Sequence, residues 1–510
     1  MLLKAVKGVY GHGQADMKTL LSTVLSILAM TFIGIAAEPL SFNRDVRPLL
    51  SNHCVACHGP DEAERKAGLR LDTHEGALAL LEQGRAAIVP KDLKASLMME
   101  RIHSADPDEV MPPPNTRKPL TDTDKAVLAR WIEEGAIWED HWAFLAPEAN
   151  AGDSIDGLVA KSLAKRGLAL SSKADKETLA RRLSFDLLGL PPKPEEVAAF
   201  VDAKDAEAAY LEMVNRWLES AHFGERMAIY WLDLVRYADT CGFHGDQHRD
   251  LALYRDYVIE AFNANKPFDQ FTIEQLAGDL LENPSTEQRI ASGYNRLLQT
   301  TEEGGAQPKE YTAKYAADRV RNVSAVWLGT TMGCAECHDH KFDPISQKDF
   351  YSMAAFFADI EEQAVGRNSA NFRLPTPAQE KELAAIDAKL GPLKRDLEAA
   401  NEAKNDGEKK RLEKAVAALN RERQQVDGAV AKTLVVQVRK EPNMVRILPR
   451  GNWLDDSGEV VQPEIPKHLG QLGIKDRRAT RLDLAKWLID AENPLTSRVL
   501  VNRLWKLFFG

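Results

Sequence analysis

Apolar residues recur at helical spacing along most of this chain, and that pattern orders it into segments. In "FNRDVRPLLSNHC", Val46, Leu49 and Leu50 share one helical face. In "TDTDKAVLARWIEEGAIW", Thr121 or Thr123 can cap a helix whose stripe is Val127, Leu128, Trp131 and Ile132. The prolines of "DPDEVMPPPNTRKPL" forbid continuous helix between the two. Beyond the linker "PEANAGDSIDG", helical segments such as "KETLARRLSFDLLGL" and "FGERMAIYWLDLVRYAD" follow one another through 155–365, with no strand series alternating with them. Within 376–427, Leu383, Ile386, Leu390, Leu393 and Leu397 form a heptad-like run, "NEAKNDGE" interrupts it, and Leu412, Val416 and Leu419 resume it. This predicts a charged antiparallel helical hairpin kinked at Pro392, a spacer packing on itself rather than a partner-binding coiled coil, because the arms are short. "TLVVQVRK" and "NMVRILPRG", joined by "EPN", predict a strand pair inside a short β segment, 430–470. From 478 to 510 an amphipathic helix, a break at Asn493–Pro494 and a second helix end on "LWKLFFG". Leu504, Leu507, Phe508 and Phe509 need a surface to pack on, so the sequence is expected to be the front of a longer protein.

Composition narrows the class. A chain of 510 residues exceeds one core and implies several domains. With 44% apolar and 28% charged residues it is neither wholly disordered nor a multi-span membrane protein. A formal charge of −10 without a basic stripe argues against nucleic acid as a partner. The start is more specific: Lys18 precedes "LLSTVLSILAMTFIGIAA", with small residues at Gly34, Ala36 and Ala37 before Glu38 and Pro39. Residues 1–37 therefore read as a secretory signal peptide, Met17 being the better start, with an uncleaved membrane anchor as the alternative. The expected location is periplasmic, secreted or cell-surface, with membrane contact only through that segment.

Four of the five cysteines occupy two copies of Cys-x-x-Cys-His: Cys54, Cys57 and His58, then Cys334, Cys337 and His338. Two thiols one helical turn apart can each add across a haem vinyl group while the adjacent histidine ligates the iron, which is the c-type attachment pattern. A structural zinc site wants four ligands, a thioredoxin-like motif wants a strand-to-helix junction, and disulfides do not explain a histidine after each pair. Haem c at the first motif is the reading. Met111, in the proline-stiffened "EVMPPPN", is the candidate sixth ligand, because a thioether on the open side suits electron transfer. Met98 and Met99 read as helix core, and His103 is the alternative if the iron takes a histidine or stays open.

The second motif reads as a second haem c, the alternative being a metal or structural site that adds His340 to Cys334, Cys337 and His338. In "CGFHGDQHRD", Cys241, His244 and His248 have metal-ligand spacing, and His244 or His248 could face the second iron; the plainer reading is a polar loop. Glu302 and Glu303 could serve acid–base chemistry, against the plainer reading of surface charge.

Residues 42–147, through "FNRDVRPLLSNHCVACHGPD", "GLRLDTHEGAL", "MPPP" and "LTDTDKAVLARWIEEGAIW", resemble the planctomycete-type cytochrome c domain. Residues 160–365, with "RYADTCGFHGDQHRD" and "DRVRNVSAVWLGTTMGCAECHDHKFDPIS", resemble its usual companion domain of unknown function. "ENPLTSRVLVNRLWKLFFG" looks like the start of a second companion domain, cut short here. The resemblance implies a secreted haem protein without naming a substrate. The fold expected is mainly α: a signal peptide, a small c-type cytochrome domain at 40–147, a larger mostly helical domain at 155–365, the hairpin, the short β segment and the C-terminal start. The function expected is electron transfer with a redox partner protein. The alternatives are a haem-coupled redox enzyme acting on a small molecule or glycan, and a structural or adhesion protein with a haem sensor.

Overall fold

The apolar stripes become helices in the computed structural model, which describes residues 40–62, 64–81, 84–147, 154–243 and 245–510. The predicted signal segment and His244 lie outside the described residues. The fold is mainly helical, and its strands form two small two-stranded sheets among the described residues. The chain divides into two compact units, one of residues up to His53 with Arg85–Glu139, the other of Cys54–Gly84 with Asp140–Gly510.

The smaller unit packs Phe42–Val46, Arg47–His53, Leu97–His103 and Asp122–Glu133. Thr121 caps the last of these: its hydroxyl accepts from the Asp124 N–H, and the Asp124 carboxylate accepts from the Thr121 N–H at 2.9 Å. Val46, Leu50, Met98, Met99, Ile102, Leu128, Trp131 and Ile132 are buried, so Met98 and Met99 fill the core as expected. The Glu139 carboxylate accepts the N–H groups of Phe42 and Asn43, both at 3.1 Å, and so ties down the start of this unit. Met111 follows the helix Leu97–His103, where its N–H donates to the Arg101 carbonyl at 3.1 Å. His103 is exposed.

The larger unit is built on a main core, with a smaller cluster of Ala180, Leu187, Phe200, Met213 and Trp217 beside it in sequence. Ala221–Leu234, Ala252–Asn263, Phe268–Ala277, Pro308–Val323, Gln347–Ala355 and Arg481–Leu488 contribute Trp231, Tyr254, Leu276, Val320, Phe350 and Leu484 to the main core. Arg481 is fully buried, its guanidinium between the carboxylates of Asp279 at 2.7 Å and Asp359 at 3.0 Å. A charge out of water survives there only because two carboxylates surround it. The turn Met332–Glu336 sinks Met332 and Ala335 into this core, which leaves Cys334 and Cys337 on its outer side.

Pro377–Glu402 and Asp406–Gly428 form a helical hairpin with Leu383, Ile386, Leu390 and Leu412 buried. The first arm continues through Pro392, whose cost of a lost backbone hydrogen bond is offset along a seam that is packed on both sides. The strand pairing expected from "EPN" is corrected. Ala431–Thr433 pairs antiparallel with Phe372–Leu374, and Val445–Arg446 with Val460–Val461. The reason is burial: Leu434, Val435 and Val436 are all interior, and their N–H groups reach the Asp250 carbonyl, the Asn371 side chain and the Ser292 hydroxyl. A segment buried on successive residues takes its partners from the core rather than from the next turn.

Candidate functional site

The first Cys-x-x-Cys-His sequence closes a single helical turn. The Cys54 carbonyl accepts both the Cys57 N–H at 3.0 Å and the His58 N–H at 2.9 Å. Val55, on the inner side of the turn, is buried. The chain then folds back over the motif: Lys66 N–H donates to the Cys57 carbonyl at 2.8 Å and Leu71 N–H to the His58 carbonyl at 2.7 Å. Arg65 braces this loop by donating to the carbonyls of Gly59 and Pro60 at 2.9 and 2.6 Å.

Two features of this turn bear on chemistry. Burial, with Cys57 beside it, pushes the Cys54 thiol up to about 12, so its sulfur stays protonated and uncharged. The His58 ring nitrogen Nδ1 lies 3.2 Å from the Lys66 carbonyl. A carbonyl only accepts, so Nδ1 carries the proton and Nε2 keeps its lone pair. Burial also holds the imidazole below its ordinary value, outweighing the carbonyl's opposite pull. A neutral imidazole with a fixed tautomer and an uncharged thiol fit a thioether-bound haem.

The second motif is built differently. Cys334 and Cys337 are both exposed. Gln347 Nε2 and the Tyr351 hydroxyl donate to the Glu336 carbonyl at 2.9 and 3.0 Å and hold the end of the turn. Nδ1 of His338 donates to the Asp339 carbonyl at 2.7 Å, which again frees Nε2. His340 takes no comparable position. Its Nδ1 accepts the Asp343 N–H at 2.8 Å, so its Nε2 donates to the Thr331 hydroxyl at 3.0 Å. Both of its nitrogens organise the loop, and the ring is buried.

The two motifs, far apart in sequence, meet within the larger unit. A Cβ placed on Gly59 would come within 3.3 Å of the Lys341 carbonyl. The Asp61 carboxylate lies 3.9 Å from Nδ1 of His338. Asp61, Glu62, Cys337, His338, Asp339, Gln347, Pro449 and Arg450 line one cleft. Asp61 and Arg450 were not legible as site residues; the only sequence signal near Arg450 is the Pro-Arg-Gly turn.

The remaining candidates fall elsewhere. The Cys241 thiol is buried, donates to Gln247 Oε1 at 3.2 Å and accepts the Gln247 N–H at 3.2 Å. His248 is exposed and lies 3.6 Å from Asp250. Glu302 and Glu303 are exposed. Among the described residues no group of three or more His, Cys, Asp or Glu is disposed to hold a metal ion, and no helix is long and apolar enough to cross a membrane.

Comparison with known families matches three stretches. Residues 54–115 match Planctomycete cytochrome C, 154–362 match a protein of unknown function (DUF1549), and 480–510 match a protein of unknown function (DUF1553). No curated protein and no solved structure matches the chain. The chain carries the planctomycete cytochrome C domain, its larger companion domain and a short stretch of the second companion, in the order the sequence pattern led one to expect.

Proposed function

We propose that this chain is an exported c-type cytochrome, periplasmic or at the cell surface, that binds haem covalently at Cys54 and Cys57 and exchanges electrons with a redox partner protein. The observation that carries the reading is the first turn itself, where two thiols and a neutral imidazole with a free Nε2 share one helical turn. The match of residues 54–115 to Planctomycete cytochrome C supports it. Cys54 and Cys57 would hold the haem through thioether bonds, each S–H adding whole across a vinyl group so that nothing is lost. His58, its ring oriented by the Lys66 carbonyl, would offer its Nε2 to the iron. Bound haem supplies a reversible one-electron couple, while the chain supplies ligands, orientation and a drier surrounding. The sixth ligand is assigned to Met111 from the sequence.

Pyridine haemochrome spectra and intact mass of protein matured by a working haem-ligation system test the reading. A c-type spectrum and a haem mass lost in the Cys54→Ala, Cys57→Ala variant are expected; bare polypeptide in the wild type overturns it. Met111→Ala is expected to abolish the sulfur-to-iron charge-transfer absorption, and persistence of that band removes the assignment.

A further inference from the structure

The second Cys-x-x-Cys-His turn opens on a cleft unlike a haem seat. The cleft holds about 270 Å³, just under the roughly 300–1,000 Å³ usual for drug-sized ligands. Of its described lining only Pro449 and Cys337 are apolar, and Cys334 stands outside it. Gly451 lies against the Cys337 sulfur, where a macrocycle bonded to that sulfur would have to sit. These surroundings do not fit the second haem that the spacing led one to expect.

They fit a different use of two thiols. Both cysteines are exposed, as reactive thiols must be. Cys334 lies inside the 3₁₀ turn Met332–Glu336, and Cys337 caps that turn with helical backbone angles. Side chains three residues apart on such a turn eclipse one another, with about 6 Å of rise between them. A disulfide spans roughly 4.4–6.8 Å between Cα atoms, so this pair can close one. Cys337 is the member that meets the cleft. Gly451 keeps its sulfur uncovered, since a Cβ there, at φ +71°, would stand 2.8 Å from it. Beside that sulfur the cleft offers charges of both signs. Arg450 is exposed, and its guanidinium enters no ion pair or hydrogen bond among the described residues. Glu62 presents a carboxylate whose side chain is 85% exposed. Nδ1 of His338 donates to the Asp339 carbonyl at 2.7 Å, which leaves Nε2 as a proton acceptor in the same cleft.

We infer that Cys334 and Cys337 are a redox-active dithiol that exchanges with a small zwitterionic disulfide, its carboxylate on Arg450 and its ammonium on Glu62. The planar donors of a guanidinium match a carboxylate. The Cys337 thiolate attacks one sulfur of the small disulfide, which forms a mixed disulfide and releases one thiol. Cys334 then attacks the Cys337 sulfur, closing the internal disulfide and releasing the second thiol. The two thiol protons end on the two released thiols, and two electrons pass from the pair to the small disulfide.

The matured full-length protein tests this by equilibration with cystine and cysteine in varied ratio, alkylation of free thiols, proteolysis and peptide mass. In excess cysteine the peptide with Cys334 and Cys337 is expected to carry two alkyl groups. In excess cystine it is expected to carry none and to be two hydrogens lighter than the dithiol, reversibly. Two alkyl groups throughout, or haem on that peptide, overturns the inference. Haem on the peptide with Cys54 and Cys57 is read in the same digest, and its absence overturns the cytochrome reading alone. Cys334→Ser is expected to stop at a cysteine adduct on Cys337; a variant without that adduct overturns the order of attack. Arg450→Gln is expected to slow exchange with cystine roughly two- to fivefold, the worth of an exposed charge pair, and to leave exchange with uncharged hydroxyethyl disulfide unchanged. Equal slowing with both, or with neither, overturns the role of Arg450.

Discussion

The two Cys-x-x-Cys-His turns have the same spacing and opposite surroundings. At the first, the Cys54 thiol is desolvated and its pKa pushed up to about 12, the imidazole of His58 is held neutral by burial, and a returning loop brings the Lys66 carbonyl to Nδ1. At the second, both thiols face solvent, and His338 finds its carbonyl on the very next residue, Asp339. The first turn is shaped by the loop that follows it. The second is shaped by what lies beneath it, because Met332 and Ala335 anchor it to the large core. One local pattern can thus be carried by two kinds of support, and burial and solvent access are among the levers that set a haem's potential.

The comparison can be broken in order of expected effect. Replacing Cys54 and Cys57 by Ala should remove covalent haem from the first turn altogether while leaving the second turn's complement unchanged, read by peptide mass. Retention of the first adduct would end the cytochrome account. Next, Met332→Ala should cost about 2–5 kcal/mol of stability, because a fully buried side chain beneath the second turn is lost to a cavity. Urea denaturation measures it, and a cost near zero would mean the turn does not rest on that core.

A smaller loss, about 1–3 kcal/mol, is expected for Gly59→Ala, where a Cβ would run into the Val55 carbonyl and crowd the Lys341 carbonyl at 3.3 Å. If thermal denaturation is unchanged, the two motif loops are not packed as closely as the comparison requires. The smallest effect concerns acid. Burial holds the His468 imidazole below its ordinary value although Asp349 and Asp343 pull the other way, and its ring packs edge-on against Phe144 at 4.8 Å. The folded state therefore favours the neutral ring. That stability is fully present above about pH 6.5 and declines as pH falls below it. Denaturation at stepped pH should show a shallower acid slope in His468→Phe, and an identical slope would exclude this histidine.

Much of the architecture was legible because it is local. The Thr121 cap, the interior positions of Met98 and Met99, and the two-armed hairpin all follow from spacing that a helix reads directly. The strand pair was not legible. "EPN" is a sound local turn signal, yet Leu434, Val435 and Val436 are drawn inside, and the short strands find partners at Phe372–Leu374 and Val460–Val461. His340 shows the same limit at the site. Its place two residues after His338 made it a plausible ligand, whereas both ring nitrogens serve the 340–343 loop and Thr331.

What the sequence determined by itself is the donor set: two thiols and the histidine that follows them, at the same spacing twice, inside a mainly helical chain, because that spacing is local. What only the tertiary structure decided is the company those donors keep. The partial burial of Cys54, the carbonyls on His58 and His338, the approach of Gly451 to Cys337, and the meeting of Asp61 with His338 all join residues by packing rather than by spacing. Desolvation and long-range contact depend on the whole folded core, and no short stretch of sequence encodes them alone.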